Sequence, residues 1–194
     1  MPPPALILAS TSPYRRTLLS RLGLPFECIA PGVDEAPLPQ EAPLERARRL
    51  ALAKATAVAA QRPGSTVIGG DQVAVCGGEV LDKPGTVARC REQLERLSAA
   101  AATFYTAVAL QPAEHGAALQ LVDTTTVYFR ALSALEIERY IAAEQPLDCA
   151  GGFRAESLGI ALFARVVTED PTALIGLPLI ALARSLRQLG YALP

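Results

Sequence analysis

"ALILASTSPYRRTLLSRLG", residues 5–23, sets the architecture of the chain. It opens on an apolar run, passes through a hydroxyl-rich loop and ends in a helical pattern, the strand–loop–helix order of an α/β protein. Ser12 is a natural N-cap, Pro13 suits the first helical position and Gly23 suits the stop, so a helix is predicted between them. Arg15 and Arg16 then fall in its first turn. That end already carries about half a positive charge from the aligned peptide dipoles, and acidic residues are preferred there. Ser10, Thr11 and Ser12, the free N–H groups of the helix start and the two guanidiniums are all donors, which is the equipment of a phosphate site. The competing reading is a capped surface helix whose arginines reach back to Glu27 or Asp34. Local sequence leaves both open.

Further along, "STVIGGDQVAVCGGEVL" (65–81) reads as two β-type runs with glycines between them. "TFYTAVALQ" and "ALQLVDTTTVYFRAL", joined across "PAEHGA", predict a long hairpin, and "GIALFARVV" (159–167) another strand. Helices are predicted over "APLERARRLALAKATAVAAQ" after Pro43, and over "TVARCREQLERLSAAA" with Val87, Cys90, Leu94 and Leu97 at helical spacing. Ser133 and Glu136 form a capping-box pattern for a helix that Pro146 ends, and "GLPLIALARSLRQLG" supplies the last one. No repeat or linker interrupts the order. The expected fold is therefore mixed α/β to α+β, with residues 1–194 as a single domain.

The 194 residues are 51% hydrophobic, enough for one sizeable core, and the formal net charge is −1. A near-neutral chain has no global basic field to recruit nucleic acid or an anionic membrane, so any anion site is local. The N-terminus lacks a basic signal-like region and no segment approaches a spanning helix, which predicts a cytoplasmic protein with no membrane partner. Cys28, Cys76, Cys90 and Cys149 are widely separated, without zinc or redox spacing, and are expected to be small buried thiols.

Sixteen of the eighteen basic residues are arginine; the two lysines are Lys54 and Lys83. A lysine kept against that bias either serves as a compact ammonium for phosphate or is there by chance. Lys83, in the turn "LDKPG", is the better candidate, whereas Lys54, mid-helix, reads locally as a solvated face. Asp71 follows Gly69 and Gly70, which let backbone or ligand come close; it either holds a metal or takes a proton, or is a turn aspartate bonded to its own backbone. Asp34 and Glu35, in the proline-bracketed "PGVDEAP", either bind a divalent cation or are simply exposed. His115 is the only histidine and falls at the presumed hairpin tip, which weighs against a Ser-His-Asp or Cys-His mechanism. Carboxylates, lysines and arginines remain, an inventory suited to metal-assisted phosphoryl chemistry.

Taken in order, "LASTSPYRR", "VDE" (33–35), Lys54, "GGDQV", "LDKPG" and "CAGGFRAES" resemble the Maf family of nucleoside triphosphate pyrophosphatases over nearly the whole chain. The resemblance implies a two-lobed, mixed twisted sheet with flanking helices and a cleft between lobes, similar to the inosine-triphosphate pyrophosphatase fold. It implies that Ser10, Arg15, Lys54 and Lys83 hold the triphosphate. Glu35 and Asp71 would engage a divalent cation, Mg²⁺ or Mn²⁺, and the attacking water, Asp71 being the proton acceptor. Tyr14, Gln72 and Glu156 occupy the positions that differ between substrate branches, and this set resembles the branch acting on 7-methyl-GTP. Chemistry is compatible with that: a cationic N7-methylguanine suits the Tyr14 face, and Glu156 can accept from the N1–H and amine of guanine. Gln72, with both a donor and an acceptor, would read the remaining edge. The alternatives are a dTTP/UTP pyrophosphatase, a broader activity on modified nucleotides, or a nucleotide-binding regulator of septum formation and cell division. The resemblance also implies a possible homodimer.

Overall fold

The apolar run of the opening stretch forms strand β1 (Leu6–Ala9), all four residues of which are buried. A strand covered on both faces reads as continuous hydrophobic sequence, and β1 pairs in parallel with neighbours on either side, β2 (Phe26–Cys28) and β3 (Thr66–Cys76). The structure is a computed structural model describing residues 3–114 and 116–194, so the turn assigned to His115 lies outside the described residues. Among the described residues five α-helices complete the order: α1 (Pro13–Ser20), α2 (Pro43–Gln61), α3 (Val87–Leu97), α4 (Ala134–Glu144) and α5 (Leu179–Gln188). The remaining strands are β4 (Glu79–Leu81), β5 (Ala101–Gln111), β6 (Leu119–Phe129) and β7 (Phe163–Val167). They build a seven-stranded mixed sheet in the order β2-β1-β3-β5-β6-β7, with β4 paired to β3 off that path. The α/β expectation holds.

Contacts divide the chain into two units: Met1–Gln72 with Thr106–Asp123 and Asp170–Pro194, and Val73–Tyr105 with Thr124–Glu169. The first is built on a core of Leu6, Leu8, Leu18, Leu19, Ile68 and Leu110, closed by Leu182 and Leu186 of α5. Ser12 caps α1 as expected, its hydroxyl accepting from the Arg15 N–H, with Pro13 in the first turn and no acidic residue there. In the second unit four phenylalanines, 104, 129, 153 and 163, meet edge-to-face with ring centroids 5.2–5.5 Å apart. The predicted capping box is present: Ser133 and Glu136 satisfy one another's backbone N–H groups at the start of α4. Among the described residues no helix is long and apolar enough to cross a membrane.

Several boundaries differ from expectation. Helix α1 closes at Ser20, and Gly23 follows in a left-handed turn beyond it. Helix α3 ends at Leu97, with Ala101 already opening β5, because Ala99 takes a left-handed conformation that a helix cannot continue through. The first half of "GIALFARVV" is a 3-10 turn, Leu158–Leu162, and only Phe163–Val167 is strand. Gly69 and Gly70 do not separate two runs; they lie inside the single strand β3, and the turn falls at Gly77–Gly78. Of the cysteines, Cys76 and Cys90 are buried as expected, but Cys28 is exposed on the short edge strand β2 and Cys149 is half-buried. Burial pushes the Cys90 thiol up to about 11, which leaves it protonated and inert at neutral pH.

Candidate active site

Lys54 is not a solvated residue. Helix α2 buries Ala47, Leu50, Ala51, Lys54, Ala55 and Val58, a stripe at helical spacing, and Lys54 takes its place in that stripe at 5% exposure. A buried ammonium must be paired. Its Nζ lies 2.7 Å from Oδ1 of Asp71 and 2.7 Å from Oε1 of Glu35. Asp71, on β3, is itself only 6% exposed, so it is no turn aspartate bonded to its own backbone. Glu35 arrives from the irregular segment between β2 and α2 and keeps its side chain 58% exposed. Its neighbour Asp34 does otherwise, its Oδ1 accepting from the Ala36 N–H in a local turn.

Gly69 explains how α2 comes so near. A Cβ built there would sit 2.2 Å from the Ala51 carbonyl oxygen and 2.5 Å from the Ala55 nitrogen, so only glycine admits the helix backbone at this distance. Two residues on, Asp71 points to the same face of the strand, toward Lys54. The odd-numbered residues therefore serve the Lys54 pair, and the even-numbered ones face another group.

That group is Arg15. Its side chain passes over Gly70, whose Cβ would be 3.4 Å from its Nε, and against Gly176, with φ +133°, whose Cβ would be 3.3 Å from its Cγ. The Arg15 Nε donates to the Gly176 carbonyl at 3.2 Å. Burial pulls the guanidinium below its ordinary pKa, while the charges of Asp71 and Glu35 raise it. A desolvated cation bonded to a carbonyl, near two acids shared with Lys54, is arranged to take an anion. Ser10, buried at the end of β1, accepts the Ser12 N–H on its Oγ at 3.1 Å and so has its hydroxyl hydrogen to donate. Arg16 turns the other way, as the next residue on a helix must. It is exposed and lines a depression with Thr17, Ser20 and Glu27. Neither arginine pairs with Glu27, which bridges to Arg62.

Gln72 follows Gly70 on its face of β3. Its Nε2 donates to Thr106 Oγ1 at 2.9 Å and to the carbonyls of Ala173 and Leu174 at 3.0 and 3.1 Å. Those carbonyls belong to the turn that ends at Gly176, so the Gln72 amide braces the peptide to which Arg15 is bonded. Tyr14 is half-buried in the first turn of α1. Lys83 and Glu156 lie in the second unit, both exposed: Lys83 follows β4, and Glu156 sits in the loop after Phe153. Arg154 bridges to Asp148, and the Arg165 guanidinium lies 3.9 Å over the Tyr128 ring. Much of "CAGGFRAES" is structural, since Phe153 anchors the phenylalanine cluster.

Sequence reasoning missed a second tier. Arg49 holds Glu41 through two bonds, Thr106 supports Ala173, and Asp170 with Thr172 caps α5. An acid facing a charged helix start in "EAPLERARR" was the available signal for the first of these.

This site sits in a Maf fold: the Maf-like protein family model matches residues 5–189, and the chain belongs to that family. Among its relatives, a 7-methyl-GTP pyrophosphatase of Xanthomonas axonopodis pv. citri is 54% identical over 191 residues, 98% of this chain and all of that one. Proteins of the same name from Bordetella pertussis and Aromatoleum aromaticum are 55% and 53% identical, covering 97% of this chain and 94% and 97% of theirs. A solved nucleoside-triphosphatase / dITP/XTP pyrophosphatase from Mycobacterium abscessus is 19% identical over 94% of each chain with a TM-score of 0.44, a likeness too loose to carry an argument.

Proposed function

We propose that this chain is a nucleoside triphosphate pyrophosphatase that hydrolyses 7-methyl-GTP to 7-methyl-GMP and diphosphate, removing a modified nucleotide. Near-full-length relatives above 50% identity carry that name. The observation that carries the chemistry is the Lys54 ammonium shared by Asp71 and Glu35, with the desolvated Arg15 guanidinium alongside.

In this reading the donors at the start of α1, Ser10 and Arg15 take the polyphosphate tail, satisfying the helix end and the guanidinium together. Asp71 accepts a proton from the water that attacks the α-phosphorus, and the bond to the diphosphate leaving group breaks. Lys54 holds the Asp71 carboxylate in place for that task. Two cations and two acids cancel one another, so an incoming anionic tail needs further positive charge. Among the described residues no three acidic, cysteine or histidine side chains gather to hold a metal. Two convergent hard-oxygen carboxylates do fit Mg²⁺ or Mn²⁺, which commonly take one or two carboxylates and complete their shell from substrate phosphates and water. Glu35 and Asp71 would hold such an ion, and it would supply charge neutralisation of the tail. The roles of Lys83 on phosphate, and of Tyr14, Gln72 and Glu156 on the base, rest on the family resemblance, and a phosphate role for Arg16 rests on its place in the first turn of α1. A homodimer rests on the resemblance too, while the cytoplasmic setting rests on the sequence reading of the N-terminus.

Diphosphate release from purified protein with Mg²⁺, measured over a triphosphate panel, tests the reading. Turnover of 7-methyl-GTP is expected to exceed that of GTP, dTTP and UTP. Faster turnover of dTTP or UTP would replace the substrate assignment with the pyrimidine branch. Asp71→Asn is expected to abolish turnover while retaining nucleotide binding.

A further inference from the structure

Glu35 faces a problem that Asp71 does not. Asp71 is fixed within a strand, whereas Glu35 lies in a stretch, residues 29–42, that forms neither helix nor strand. Holding an exposed carboxylate in one place on such a segment costs conformational entropy that something must offset. The restraint comes from α2. The Arg49 guanidinium binds the Glu41 carboxylate as a fork, Nε to Oε1 at 2.5 Å and Nη2 to Oε2 at 2.8 Å, and the same Nη2 donates to the Ala36 carbonyl at 3.1 Å. Glu41 Oε2 also accepts the Leu38 N–H at 3.2 Å. One turn earlier on the helix, Arg46 Nη2 donates to the carbonyl of Glu35 itself at 3.3 Å. Two of these bonds end on Glu35 and its neighbour Ala36, and the others tie the following residues, Leu38 and Glu41, to α2.

We propose that Glu41 and Arg49 are positioning residues, a clip that presents the Glu35 carboxylate to Lys54 and sets the rate of the proposed hydrolysis without touching substrate. The proposal rests on the assigned reaction for its rate but not for its geometry. Glu41 supplies the carboxylate that joins Arg49 to the Leu38 N–H, and Arg49 supplies the planar fork that a lysine lacks. Arg46 helps, but its Nε is buried without a hydrogen-bond partner, so Arg49 is the better-satisfied anchor.

Glu41→Gln and Arg49→Lys test this in two backgrounds, with Glu35 present and with Glu35→Gln. Segment-resolved hydrogen exchange reads the loop independently of any turnover. Both substitutions are expected to speed exchange in residues 34–38 while leaving β1 and β3 protected. They are expected to lower kcat on the order of tenfold with Glu35 present, with little change in KM, and to have no further effect once Glu35 is glutamine. Equal losses in both backgrounds, or unaltered exchange in 34–38, would overturn the clip. An absence of 7-methyl-GTP turnover in the parent, with faster loop exchange in the variants, would instead remove the assigned reaction and leave the restraint standing.

Discussion

Two adjacent glycines make opposite predictions. At Gly69 an added methyl would sit 2.2 Å from the Ala51 oxygen, about 1.2 Å short of the 3.4 Å at which ordinary contact begins. Both of its closest neighbours are helix backbone, which cannot rotate away, so α2 must retreat from β3 by about 1 Å. The Lys54–Asp71 bond, now 2.7 Å, would stretch to about 3.7 Å, beyond hydrogen-bond range. At Gly70 the same methyl meets Leu177 Cδ2 at 3.3 Å and Arg15 Nε at 3.4 Å, both side-chain atoms that can yield by a few tenths of an ångström. Gly69→Ala is therefore expected to destabilise by about 1–3 kcal/mol or more, as overpacking does, and to lower kcat by about 100-fold where the chain still folds. Gly70→Ala should stay within about 1 kcal/mol of the parent and act mainly on KM, through Arg15. Thermal unfolding with steady-state kinetics on 7-methyl-GTP separates the two. A Gly69→Ala protein with parental unfolding temperature and kcat would refute the idea that close helix–strand approach builds the Lys54 pair.

Other outcomes follow from single contacts. Arg15→Ala should weaken binding of a non-hydrolysable triphosphate by about 1.5–3 kcal/mol, roughly 10- to 150-fold in Kd by calorimetry, with little change for the unphosphorylated nucleoside. Gln72→Thr leaves the Leu174 carbonyl without its amide donor, while the Ala173 carbonyl keeps Thr106 and the Gly176 N–H, so it should cost about 1 kcal/mol of stability and loosen the grip on triphosphate whatever the base. A Gln72→Thr protein changed only in base preference would show that the amide reads the base and does not brace the turn. The Glu136 carboxyl is held down to about 2, chiefly by the Ser133 backbone N–H, then by its hydroxyl and by Arg130. A depressed carboxyl stabilises the fold above its ordinary 4.5 and loses that contribution as pH falls toward 2. The stability gap between parent and Glu136→Gln should therefore close across that interval; a gap constant from pH 7 to 2 would contradict it.

Local chemistry was legible where one residue type has one use. Ser12 with Pro13, and Ser133 with Glu136, announce helix starts because few other arrangements satisfy those N–H groups, and both are in place. Asp71 was visible as a candidate through its glycines, but its partner was not: Lys54 reads as solvent-facing until its apolar neighbours on α2 are counted. Glycines mislead in strands, since Gly69 and Gly70 look like a break and instead mark close approach within β3. The Gly176 carbonyl that receives Arg15 lies 161 positions away along the chain, and no local pattern announces such a contact. Arg16 shows the complementary gap, because two arginines side by side look equivalent until helix geometry sends them to different faces.

Lys54 also bears on how this chain can drift. The sequence writes its positive charge almost wholly as arginine, and every other cation of the first unit's side chains follows that habit. Position 54 is where the habit gives way: a compact ammonium lies 2.7 Å from two separate acids inside a packed helix face, where a larger, planar guanidinium would need room of a different shape. A compositional tide toward arginine thus costs this protein little at its exposed cations and most at that buried ammonium.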